Sequence, residues 1–209
     1  MLRSAIPVIK EILSSYPKGG TDIETIARII SAVTHVDTIN YVGYDVPNTN
    51  PILGSFLRFR KRENVYADEV DVVEVRYALH LDEDMKRFVV YKELCHSLEE
   101  PDGKHNTSDQ GLDDLVTAFS LFSSESETET EQAFDLHSFG IEMLALITAI
   151  EVICPLPRRK RLIEKFGNNL DMATVCGDYG LPRVLSENCF KPRYLLTMER
   201  VYRQYGLIA

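Results

Sequence analysis

The chain has 209 residues, of which 44% are hydrophobic and 26% charged, with a formal net charge of -9. That composition supports one globular core and excludes a disordered or fibrous polymer. The acidic balance excludes a general nucleic-acid surface, which would gain from counterion release only if it were basic.

Residues 2–16 place Ile6, Ile9, Ile12 and Leu13 at helical spacing, and Pro17-Lys18-Gly19-Gly20 stops that helix. Lys10 and Glu11 interrupt its apolar face, so the segment reads as an amphipathic helix rather than a secretory signal. Thr21-Asp22-Ile23-Glu24 has capping-box form and opens a helix expected to run to about Thr38. Together these helices form an expected N-terminal helical layer over residues 1–38. Asn40 to Pro51 reads as turn chemistry around Gly43 and Pro47. Ser55–Arg60 alternates apolar and polar residues as a half-buried strand does, and Val70–Leu81 is β-branched and aromatic, a second strand.

Met85–Leu98 reads as a helix ended by Glu99-Glu100-Pro101-Asp102-Gly103. Residues 104–114 are polar and loop-like, and Leu115–Phe122 is short and apolar. The acidic Ser/Thr run over 123–131 has no apolar surface to bury and reads as solvated. Phe134–Cys154 is the longest apolar-rich helix and stops at Pro155-Leu156-Pro157. Arg158–Phe166 is a further helix, and its start, Arg158-Arg159-Lys160-Arg161, is expected to face solvent. Leu170–Cys176 and Pro182–Leu185 read as two small helices, while 191–206 is a strand or a helix. The four cysteines form no CxxC pair and are expected to be reduced and mostly buried, in a cytoplasmic protein without membrane spans.

The chemistry-bearing segment is Arg87-Phe88-Val89-Val90-Tyr91-Lys92-Glu93-Leu94-Cys95-His96-Ser97-Leu98. On a helix, residues i and i+4 share a face. That spacing lets HExxH offer two imidazoles to one zinc ion, with the intervening Glu polarising the bound water. Here the pattern is K-E-x-x-H: Glu93 stands at the base position, His96 at the second ligand and Lys92 at the first. Taken alone, those residues also suit an ordinary amphipathic helix.

The surrounding segment resembles the RFTxAHELGHxL motif of the ImmA/IrrE zinc metallopeptidase family, with matches at Arg87, Phe88, Glu93, Leu94, His96 and Leu98. Downstream, Glu142, Ala145, Ala149, Val152, Ile153 and Pro155 follow the family's ExxAxxFAxxLLMP helix, with Thr148 and Cys154 as departures. The resemblance covers about residues 39–185 and implies an α+β, zincin-like metallopeptidase core, with residues 186–209 as a C-terminal extension. It further implies Glu142 as a zinc ligand and a protein or peptide partner, a transcriptional regulator of bacterial or phage type.

Lys92 is the decisive departure. An ammonium has no lone pair for zinc, and its charge repels a divalent cation. The expected function is therefore that of a metallopeptidase-like regulatory or binding module with a degenerate site and no cofactor. In it the Lys92 ammonium stands between Glu93 and Glu142 where a metal would be. The alternative is an active zinc peptidase with Glu93 as base and His96, Glu142 and either His105 or His137 as ligands. His35 and His80 are expected to be structural or exposed, and no GxSxG elbow surrounds Ser97 or Ser138.

Overall fold

A computed structural model describes residues 2–15, 21–47, 50, 52–62, 64–99, 111–124 and 140–208. Among them the chain is α+β, with nine α-helices and a three-stranded mixed sheet. The order of elements is α1 (Leu2–Ser15), α2 (Ile23–Thr34), β1 (Thr38–Tyr44), β2 (Gly54–Lys61), β3 (Val70–Ala78), α3 (Glu83–Cys95), α4 (Leu112–Ser124), α5 (Ile141–Ile153), α6 (Leu156–Phe166), α7 (Met172–Tyr179), α8 (Arg183–Cys189) and α9 (Pro192–Gln204). A 3₁₀ turn, His96–Leu98, continues α3.

β3 lies in the middle of the sheet, parallel to β1 and antiparallel to β2. Val73 and Val75 of β3 are buried, and Ile39, Phe56 and Tyr77 pack beside them on the helix-covered face. The other face carries Val42, Leu57, Glu74 and Arg76 in register.

The helices that matter most are α3 and α5. α5 is IEMLALITAIEVI, and every residue from Ala145 to Ile153 is buried. A helix apolar on all sides belongs in the interior. α3 packs against it and against β2 and β3, with all residues from Phe88 to Cys95 buried. Asp82 starts α3 by accepting from the backbone N–H of Met85 at 2.8 Å. α1 also packs on α5, and α2 on α3. α9 closes the far side, burying Tyr194, Met198 and Tyr202 in the same hydrophobic core as α1 and α2.

Four sequence expectations need correction, and one left open is resolved. The second helix ends at Thr34, where His35 adopts a left-handed conformation (φ 57°), and Thr38 begins a strand. Its N-cap is Asp22 rather than Thr21, because the Asp22 carboxylate accepts from the backbone N–H of Thr25 at 2.9 Å. Residues 40–44, expected as turn, belong to β1; cross-strand pairing with β3 outweighs the turn preference of Asn40 and Gly43. The segment 191–206, left open between strand and helix, holds the helix α9.

The fourth correction concerns the basic run. Arg158 and Arg159 are 2% and 0% exposed, so half of it lies in the interior. Arg159 pairs with Glu151 and donates to the Cys189 carbonyl at 3.1 Å. Tyr194 and Tyr202 donate to the two Glu151 oxygens at 2.9 and 2.8 Å. This cluster ties α5, α6, α8 and α9 together, and satisfied partners are what make a buried charge tolerable.

Cys95, Cys154 and Cys189 are buried and Cys176 is half-buried, all as free thiols. His35 and His80 are exposed. No helix among the described residues is long and apolar enough to cross a membrane. The solvated run expected from residue 123 and the loop expected to 114 also give way, both to α4: residues 112–114 open it, and Ser123 near its end is buried and donates to Asn188 Oδ1 at 2.9 Å. Residues 125–131, the loop over 104–110 and the start of the long helix at 134–139 lie outside the described residues.

Candidate functional site

α3 enters the core with its last turn beneath β2 and beside the first turn of α5. Lys92 and His96 are four residues apart, so both side chains lie on the face that α5 covers. Glu142 stands in the first turn of α5 and reaches toward them. The Lys92 Nζ donates to Glu142 Oε2 at 2.5 Å and lies 2.9 Å from Glu93 Oε1. His96 Nε2 is 3.4 Å from Glu142 Oε1, and Nδ1 is 3.3 Å from Glu99 Oε1. Side-chain exposure is 7% for Lys92, 4% for Glu93, 6% for His96 and 16% for Glu142, so the cluster is shielded from water.

The electrostatics follow from that burial. Desolvation works against the Lys92 ammonium, yet the Glu93 and Glu142 carboxylates outweigh it and raise its pKa. Burial likewise opposes charging of His96. Its bonds to Glu142 and Glu99, with the charge of Glu93, prevail and raise it to about 9 against the repulsion of Lys92. Glu142 is pushed up by burial and pulled down further by His96 and Lys92, to about 2. Lys92, His96 and Glu142 are therefore all shifted toward their charged forms. A lysine held as ammonium offers no lone pair and cannot act as a nucleophile.

Two neighbours shape the approach to this cluster. Gly54, the first residue of β2, has no room for a side chain: a Cβ there would meet Val89 Cγ1 at 2.4 Å and Glu93 Oε1 at 2.8 Å. The Phe56 ring lies 5.8 Å from the His96 ring. β2 is thus the sheet edge that passes directly over the site.

All four residues singled out from the sequence, Lys92, Glu93, His96 and Glu142, come together. Two participants were missed. Glu99 lies one turn after His96, and its i+3 spacing is a legible pairing signal. Gly54 carries no signal in the sequence, because its close approach depends on how β2 crosses α3. Ser97 is buried. His105, His137 and Ser138 lie outside the described residues.

Among the described residues the donor set does not fit zinc; His105 and His137, the further ligands the sequence offers, lie outside them. Catalytic zinc takes three protein ligands and an open position. Among the described residues only His96 and Glu142 stand as ligand candidates, and an ammonium already occupies one Glu142 oxygen. No group of three or more His, Cys, Asp or Glu side chains among them is arranged to hold a metal ion. Comparison of the chain with family models, curated proteins and solved structures gave no match.

Proposed function

We propose that this chain is a metallopeptidase-like protein with a zincin-like core and a degenerate zinc site. In this reading it works by binding a protein or peptide partner, of the transcriptional-regulator class that its ImmA/IrrE resemblance suggests. The observation that carries the reading is the Lys92 Nζ within 2.9 Å of Glu93 and 2.5 Å of Glu142. One permanent positive charge bridges the two carboxylates that a divalent cation would otherwise hold together. Glu93 then has no metal-bound water to polarise and serves as a structural anion.

The peptide-binding half of the proposal rests on β2. An edge strand offers backbone donors and acceptors to an added strand. β2 ends in Arg60 and Lys61, both exposed, which suit a partner segment with acidic residues, whereas Arg58 is taken up by Asp71 at 2.5 Å.

Metal analysis of protein purified without chelator tests the first half. The expected result is substoichiometric zinc and no peptide hydrolysis, with zinc uptake appearing in Lys92→His. Tightly held zinc in the natural chain, or hydrolysis abolished by Glu93→Gln, would overturn it. Partner capture tests the second half. A partner retained by the natural chain and lost from Arg60→Pro, which removes one backbone donor of β2, supports the edge; equal retention counts against it.

A further inference from the structure

The connection between β2 and β3 presents a phenol to solvent. Tyr66 is 98% exposed, and Val65 before it 85%. The next most exposed of the described tyrosines is Tyr41, at 39%. The hydroxyls of Tyr44, Tyr91, Tyr194 and Tyr202 are taken up as donors to protein oxygens. Among the described residues no phenol other than Tyr66 stands fully in solvent.

The turn gives it a defined place on a segment that can still straighten. The backbone N–H of Ala67 donates to the Asn64 carbonyl at 3.2 Å, and that of Tyr66 to Asn64 Oδ1 at 3.0 Å. The ladder closes at Lys61, which pairs with Val70. Residues 62–69 therefore lie outside the sheet, and extending them costs no strand pair. Arg62 and Arg60 meet Glu69 at 2.9 and 3.7 Å across the stem. All three side chains are well exposed, so these contacts open at little cost. Charge defines what approaches. In sequence Glu63 stands three residues before Tyr66 and Asp68 two after it, in a chain of net charge -9. Glu69 offsets the positive charge of Arg62. An enzyme acting on this phenol meets an acidic surface, which suits a basic cleft.

We propose that Tyr66 is a phosphoryl-acceptor site, used by a protein tyrosine kinase whose substrate cleft is basic. The Tyr66 Oη attacks the γ-phosphorus of a nucleoside triphosphate held by the kinase. The Oη–P bond forms as the bond to the β–γ bridging oxygen breaks, the phenol proton passes to the kinase's base, and nucleoside diphosphate leaves. The product carries about -1.5 to -2 charges at pH 7. It stands in solvent, against no buried group, so the fold keeps its stability. The inference is independent of the Lys92 site and of partner binding at β2.

Incubation of the full chain with MgATP and a soluble tyrosine kinase of acidic-substrate preference tests it. The expected product carries one phosphoryl group, located by mass spectrometry on the peptide that contains Tyr66 and removed again by a tyrosine phosphatase. Tyr66→Phe is expected to abolish the label, and Asp68→Lys to slow it several-fold. Both side chains are exposed, so both variants should give the circular dichroism of the natural chain. A free peptide of residues 60–72 serves as the extended reference, and the folded chain should be labelled at a comparable rate. Labelling of the peptide but not of the chain would show that the hairpin withholds Tyr66. Labelling of neither, an undiminished label in Tyr66→Phe, or an unchanged rate in Asp68→Lys would remove recognition of this tyrosine in its acidic flank. Each of these results overturns the proposal.

Discussion

Lys92 shows how one side chain can replace an ion. Its ammonium is worth keeping in the interior only because two carboxylates lie within 2.9 Å. Replacing it with alanine leaves Glu93 and Glu142 buried with less cationic compensation. Lys92→Ala is expected to lose about 3–5 kcal/mol of stability, measurable by urea denaturation; a loss below about 1 kcal/mol would mean that the carboxylates find water or protons cheaply. His96 makes a second prediction. Its folded-state pKa of about 9 lies above the ordinary value of 6.5. The stabilisation is therefore complete below pH 6.5 and is lost as pH rises through about 9, a change of about 3 kcal/mol. Glu142 has the opposite sign: lowered from 4.5 to about 2, it stabilises above 4.5 and fails as pH falls through about 2. A melting temperature measured against pH should decline between 6.5 and 9 in the natural chain, and His96→Gln should remove that decline. The pair Lys92–His96 was legible at this scale because i, i+4 spacing is local. Glu93 and Glu142 as partners of one ammonium followed from matching two separated segments.

At the scale of elements, α5 and α6 meet at a tight break, Cys154-Pro155, and the buried Glu151 and Arg159 close the corner. The interaction is not marked in the sequence. Four consecutive basic residues read as a solvated surface, and nothing local tells that two of them turn inward. Glu151→Leu would leave the Arg159 guanidinium buried beside two tyrosine hydroxyls without their shared acceptor, and should cost about 3–5 kcal/mol. Tyr202→Phe, which removes one bond to Glu151, should cost about 1 kcal/mol. If calorimetry finds the two variants alike, the corner is held by apolar packing instead. β1 was missed for a related reason. Asn40 and Gly43 favour turns in isolation, and only the neighbouring β3 supplies the hydrogen bonds and packing that make the segment a strand.

For the molecule as a whole, one core runs from Ala5 in α1 to Tyr202 in α9. Removal of α9 would expose Tyr194, Met198 and Tyr202 and take two of the hydrogen bonds from Glu151. The full chain should therefore unfold in a single urea transition seen equally by circular dichroism and tyrosine fluorescence. A chain ending at residue 191 should show no cooperative transition. Two separated transitions in the full chain would show that the C-terminal helix is an independent appendage. By itself, the order of residues determined the helix that carries Lys92 and His96, the strand character of β2 and β3, and the burial of α5. Periodicity, capping and side-chain volume act over a few residues, so they can be read locally. Only the tertiary structure decided that Arg159 is interior, that β1 joins the sheet and that Gly54 of β2 crosses against Glu93. The partner of a buried charge, or of an edge strand, is set by how distant elements pack, and no local pattern encodes that geometry.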